Sequence, residues 1–322
     1  MTTATGFLDP GVLARIGNLE LLAKTVVEGF INGLHRSPHL GASTDFAEHR
    51  QYMPGDDIRR IDWRVYARTD RHYVKEFEAD TNANFMCVLD VSRSMRYAGA
   101  GGASPSAVSK LDYGCFLAAS LAYFSSQQRD RVGLATIDGD VREYVPSSAK
   151  HLQLVLHALD RASSAKADPP PAKPAAGPNA SAAGARALLP PLRKLGESTR
   201  RRSIVVLISD LYEDPDAVMT ALGHVRGKGN DLIVFHLLDR TELEFPFTDS
   251  GSFVDVETGD RMPVIPEYLR TQYRELVRQH TAALAKRSRD QRVDYALVDT
   301  STPLDQALFT YLMNRQRLGR VR

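Results

Sequence analysis

The run Phe85-Met86-Cys87-Val88-Leu89 is apolar at every position. A strand with one wet face alternates apolar and polar side chains, so an unbroken apolar strand implies cover on both faces. The same texture returns at Ile204 to Ile208 and at Leu232 to Leu238, the latter broken only by His236. Helix-length segments separate or follow these runs: Lys110 to Gln127, a stretch carrying Leu152, Val155, Leu156 and Leu159, then Pro215 to Lys228, Pro266 to Arg287 and Pro303 to Gln316. Strands alternating with helices predict an α/β fold, a doubly wound and mostly parallel sheet with helices on both faces. Arg131 to Ile137 and Val141 to Val145 are read as strands joined by Asp138-Gly139-Asp140, whose Asp-Gly pair signals a hairpin. A hairpin-like excursion is expected over Phe245 to Pro263, and a last strand over Val293 to Val298.

The chain of 322 residues divides into an N-terminal segment, 1–83, and this α/β region, 84–322. Leu13, Ile16, Leu19, Leu22, Val26, Val27 and Phe30 recur near helical spacing, which predicts a helix from Pro10 to Leu34 closed by Gly33 and Pro38. Phe46 to Phe77 lacks that period and reads as short extended pieces around the Pro54-Gly55 turn, with a short helix near Ile58, Ile61 and Trp63. Ala165 to Ala185, rich in proline and alanine, is expected to be a flexible loop.

Composition excludes several classes. Hydrophobic residues are 43% and charged residues 25%, an ordinary globular balance. Net charge is +2, so no global field draws the chain to nucleic acid or a membrane. Cys87 and Cys115, the two cysteines, lie in apolar stretches and read as buried thiols in a reducing compartment. No apolar run approaches a membrane span, and the first residues lack a basic-then-apolar leader. A soluble, cytoplasmic protein is expected.

The chemistry-bearing group follows the first core strand: Asp90-Val91-Ser92-Arg93-Ser94. In an open α/β sheet the ligand crevice lies past the carboxyl ends of the strands, where strand order reverses. With the order 3-2-1-4-5-6, the first and fourth core strands flank that point. Asp90 ends the first, and Ser209-Asp210 follows the fourth. Two carboxylates and two loop hydroxyls suit a hard divalent cation such as Mg²⁺, which prefers six oxygens and keeps several waters. Ser92 and Ser94 are expected to reach the ion directly, with Asp90 and Asp210 holding its waters. One position then stays open for an acidic side chain of another molecule. The plainer alternative is that Asp90 and Ser92 merely shape a turn.

Asp-x-Ser-x-Ser after an apolar strand, with Ser-Asp after the fourth, resembles the von Willebrand factor A domain and its metal-ion-dependent adhesion site. The stretch Tyr52-Met53-Pro54-Gly55-Asp56-Asp57-Ile58-Arg59-Arg60-Ile61-Asp62-Trp63, with Ala67-Arg68, is similar to the bacterial Domain of Unknown Function 58 family. His236-Leu237-Leu238-Asp239 and Asp299-Thr300-Ser301-Thr302-Pro303-Leu304 also resemble that family, so the likeness spans nearly the whole chain. Members are often encoded beside MoxR-type AAA+ ATPases and are thought to work with them in assembling or activating other proteins. The resemblance therefore implies a Mg²⁺-dependent interaction module rather than an enzyme. Such adhesion sites usually take a threonine from the loop before the helix that precedes the fourth strand. No threonine lies between Asp160 and Leu195; within the proline- and alanine-rich loop the amide of Asn179 and the hydroxyl of Ser181 are on offer, and Ser181 is the substitute expected.

Two further functions would draw on residues of this chain. A Mg²⁺-dependent phosphoryl-transfer hydrolase would use the same ion, but the residue two after Asp90 is Ser92, not a second acid. Nucleic-acid binding would use Arg59 to Lys75, where six basic residues face two acids among Trp63, Tyr66 and Tyr73. A structural network of arginine forks with Asp56, Asp57 and Asp62 explains that stretch better, since the whole-chain charge adds no supporting field. His35 and His39 are separated by Pro38, which forbids a shared helical face and argues against zinc.

Overall fold

Strand-forming runs that are apolar at every position place side chains alternately into two cores, and that alternation organises the molecule. The computed structural model describes residues 13, 18–36, 49–51, 66, 68, 70, 71, 73–75, 83–99, 108–165, 188–198, 203–256 and 259–309. In chain order the elements are α1 (Leu19–Arg36), β1 (His49–Gln51), β2 (Tyr73–Lys75), β3 (Asn84–Asp90) and a 3-10 turn (Ser94–Arg96). Then come α2 (Lys110–Gln127), β4 (Arg131–Ile137), β5 (Val141–Ser148), α3 (Leu152–Ser164), α4 (Leu189–Ser198), β6 (Ser203–Ser209) and α5 (Pro215–Arg226). β7 (Asp231–Leu238), α6 (Arg240–Glu244), β8 (Gly251–Val254), β9 (Arg261–Val264), α7 (Pro266–Asp290) and β10 (Asp294–Asp299) follow. Residues 304–309 are helical as well.

The central sheet has six strands in the order β10-β7-β6-β3-β4-β5. Each neighbouring pair is parallel except β4 with β5, which is antiparallel. The chain is thus a mixed α/β fold built on a mostly parallel sheet, with the order reversing between β3 and β6. Gly139 takes φ +69° in the β4–β5 turn, the left-handed conformation that a tight hairpin requires. β5 continues to Ser148 beyond the expected Val145, through Pro146. It is the edge of the sheet, where a residue without an N–H is tolerated.

Phe85, Cys87 and Leu89 face one core with Val206, Ile208 and Phe235, under α1, α2 and α3. Met86 and Val88 face the other with Val205, Leu207 and Val234, under α4, α5 and α7. The α1 residues Leu22, Ala23, Val26 and Val27 are buried in the first of these cores. Helix α1 runs through Gly33 to Arg36, where the sequence predicted an end. A helical glycine costs about 1 kcal/mol, too little by itself to stop a helix. His236 does not interrupt β7 but is wholly buried within it.

Helix α2 lies close over the sheet: a Cβ on Gly114 would come within 2.9 Å of a Leu89 methyl. Its first turn is fixed by Ser109 and Asp112, which cap each other's backbone N–H reciprocally. That cap sets where Lys110, the first helical residue, emerges. The excursion after α6 is the antiparallel pair β8–β9. β1 and β2 pair antiparallel as well. Most of Ala165 to Ala185, most of Arg59 to Lys75, the expected helix near Trp63 and the His39 position lie outside the described residues. Among the described residues, no helix is long and apolar enough to cross a membrane.

Candidate metal centre

At the reversal point β3 and β6 run side by side, Leu89 opposite Ile208, so their ends deliver Asp90 and Ser209-Asp210 to one place. Asp90 is nearly buried and both its oxygens are engaged. Oδ1 accepts from the Ser92 N–H at 2.9 Å, and Oδ2 from the Ser209 hydroxyl at 2.6 Å. The first bond folds the chain back, and the 3-10 turn follows; the Ser92 and Ser94 hydroxyls end 3.1 Å apart. Burial, reinforced by the like charge of Asp210, holds the Asp90 carboxyl well above the usual range against the lowering pull of those hydrogen bonds.

Asp210 carries a partner that the sequence reading missed. Lys110, wholly buried, places its ammonium 2.9 Å from Asp210 Oδ2 and 2.8 Å from Glu242 Oε1. It also donates to the Tyr212 hydroxyl at 3.3 Å and lies 4.6 Å from the centre of that ring. Burial alone would lower its pKa; Asp210 and Glu242 outweigh that and hold it above the ordinary lysine value. Two carboxylates, Asp210 and Glu242, thus share one ammonium, while Asp90 is held by the Ser92 N–H and the Ser209 hydroxyl.

Glu242 is held from two sides. Its Oε2 accepts from the Asp239 N–H at 2.7 Å, in a capping box with Asp239 at the start of α6, and Oε1 accepts from the Tyr212 hydroxyl at 2.6 Å. Asp239 in turn accepts from the Thr241 N–H and hydroxyl. Tyr97 reaches Thr241 at 2.9 Å, which ties the loop after β3 to α6. Gly99, at φ +63°, passes so near that a Cβ there would lie 2.8 Å from Asp239 Oδ1.

The turn after β6 has its own supports. Leu211 adopts φ +46°, unusual for a branched residue. Its N–H donates to the Ser209 hydroxyl at 3.2 Å, and its carbonyl accepts from His280 Nε2 at 2.8 Å. His236 stands beside Ser209 in the sheet and shares a 2.6 Å hydrogen bond with the Tyr295 hydroxyl. Its Nε2 is buried without a hydrogen-bond partner. Burial, with His280 nearby, depresses the His236 pKa to about 3, so the ring is neutral.

Of the expected ligands, Asp90, Ser92, Ser94 and Asp210 converge at this cleft; Ser181 lies outside the described residues. The donor set fits a hard divalent ion. Neighbouring ligands of an octahedral Mg²⁺ at about 2.1 Å stand roughly 3 Å apart, close to the 3.1 Å between the serine hydroxyls. Among the described residues no three His, Cys, Asp or Glu side chains form a metal cage. Hydroxyls and water would therefore supply most of the ligands. Lys110, Tyr212 and Glu242 were not singled out from sequence; Ser209 was read there only as part of the Ser-Asp pair that follows the fourth strand. Asp239-Arg240-Thr241-Glu242 does carry a legible signal, an N-cap acid with Glu three residues on.

Uncharacterized protein Rv1480 of Mycobacterium tuberculosis is 27% identical over 285 residues, covering 86% of this chain and 81% of that one. Uncharacterized protein Mb1516 of Mycobacterium bovis matches with the same identity and coverage. Among solved structures, an aerotolerance-related membrane protein from Bacteroides fragilis aligns with TM-score 0.41 at 18% identity, over 70% of this chain and 96% of that one. The conserved hypothetical protein BatB from Bacteroides thetaiotaomicron aligns with TM-score 0.42 at 15% identity, over 74% and 99%. Residues 48–283, most of the sequence and all of the expected metal ligands, match one family, and the chain belongs to it: Protein of unknown function DUF58.

Proposed function

We propose that this chain is a non-enzymatic adaptor that captures an acidic side chain of a partner protein through Mg²⁺ held at the cleft. Ser92 and Ser94 would ligate the ion directly, Asp90 and Asp210 would hold its waters, and Ser181 would supply the hydroxyl that related adhesion sites take from threonine. When bound, the ion offers an open coordination position to an incoming carboxylate. The protein's own part is to hold the hydroxyls in place and keep the two carboxylates ready for the ion's water shell. The observation that carries this reading is the pairing of the two serine hydroxyls at 3.1 Å beside Asp90. Asp90, with both oxygens engaged, is arranged as an orienting group and not as a nucleophile.

The family resemblance points to a MoxR-type AAA+ ATPase as the partner, and a von Willebrand A-like adhesion mode suits that role. Binding of the purified ATPase to the immobilised chain, followed by interferometry, tests this. Binding in Mg²⁺ that is abolished by chelator and by Asp90→Ala is expected. Equal binding with and without the ion would overturn the adaptor reading.

A further inference from the structure

We propose that Lys110 is a resident cation of the cleft, and that its share of Asp210 sets how tightly a divalent ion binds there. The inference rests on the reading of the cleft as a divalent site. Its basis is the position of the ammonium, on one oxygen of the very carboxylate assigned to the ion's water shell.

Lys110 is anchored at both ends. Its backbone N–H donates to the Tyr97 carbonyl at 3.0 Å, at the capped start of α2. Its ammonium is held by Asp210, Glu242 and Tyr212, with the Tyr97 ring 5.9 Å away. A side chain with no exposure and both ends tied cannot swing into solvent when an ion arrives. It stays as a fixed positive charge beside the incoming one, and repulsion across a few ångströms of protein weakens binding.

Glu242 moderates that effect. It draws the ammonium toward α6, where Asp239 and Tyr212 hold the glutamate still. Without the Glu242 charge, the full ammonium bears on Asp210, and the site is less able to hold a divalent ion. Lys110 and Glu242 are thus positioning residues with opposite effects: Lys110 lowers affinity for the ion and Glu242 raises it.

Calorimetric titration of Mg²⁺ into the chelator-stripped full chain tests the pair, with folding of each protein checked by circular dichroism. Lys110→Met should bind Mg²⁺ roughly tenfold tighter than wild type, and Glu242→Gln about threefold or more weaker. A folded Lys110→Met that binds no tighter than wild type overturns the proposal and leaves the metal reading standing. If Lys110→Met does not fold, Glu242→Gln decides: affinity equal to or above wild type overturns it, and weaker binding supports it. Heat from Lys110→Met but none from wild type supports the resident cation and removes the metal from the adaptor reading. No heat from any of the three proteins defeats both.

Discussion

At the N-terminal ends of the parallel strands, Asp130, Ser203 and Asn230 are buried beside the backbone. The Asp130 carboxylate accepts from the Ala83 N–H; the Asn230 amide accepts from the Ser203 N–H and donates to the Val225 carbonyl. At the C-terminal ends, buried polar groups answer one another instead. Asp90 takes the Ser209 hydroxyl from across the sheet, and Lys110 bridges Asp210 and Glu242 from three separate elements. The first arrangement closes backbone hydrogen bonds where strands begin, which any parallel sheet needs. The second gathers charge in a low-dielectric crevice beyond what the backbone requires, and such a cost is retained where a site is built.

Variants at the two rims separate these roles. The largest effect belongs to Lys110→Met in chelator, which leaves Asp210 and Glu242 buried without their ammonium. Removing one partner of a buried ion pair costs about 3–5 kcal/mol, and denaturant unfolding should show a loss of that size. A loss below about 1 kcal/mol would mean that the bridge is no stronger than a surface pair.

Next is acid sensitivity at His236. Its folded pKa of about 3 lies below the unfolded value near 6.5, so the unfolded chain binds the extra proton between them. Its contribution to stability is therefore complete above the unfolded value and is lost as pH falls toward the folded one. The expected slope is about 1.4 kcal/mol per pH unit within that window. Unfolding curves for His236→Gln should lack this part of the acid slope; identical slopes for the two proteins would place the titrating group elsewhere.

The smallest of the three is Asn230→Ala at the opposite rim. It removes the hydrogen bonds that Asn230 makes to the Ser203 N–H and the Val225 carbonyl and should cost about 1–3 kcal/mol. Calorimetry should still find Mg²⁺ bound as in wild type. A changed affinity would break the distinction between the two ends of the sheet.

How far the sequence discloses this arrangement depends on distance along the chain. β3, β6 and β7 are legible because burial on both faces leaves an unbroken apolar run. Asp90, Ser92, Ser94 and Asp210 are legible because the crevice of such a sheet is always at the strand ends. Lys110 is not, since a lysine in the first turn of a helix ordinarily points into water. Its burial depends on Glu242, 132 residues onward, and on a capping box that only the folded chain brings near. His236 reads as a break in a strand for the same reason. Its neutral ring is acceptable inside because Tyr295, from β10, meets it there. Helix α1 shows its period plainly, while the core that it shares with β3 and β6 is visible only in three dimensions.

The central claim is that the two hydroxyls and two carboxylates at the β3–β6 reversal hold one divalent ion. Titration of Mg²⁺ into wild type and Asp90→Ala, with both shown to be folded, measures this directly. Saturable heat from wild type that vanishes in the variant is the predicted result; the same heat from both proteins, or none from either, would contradict it.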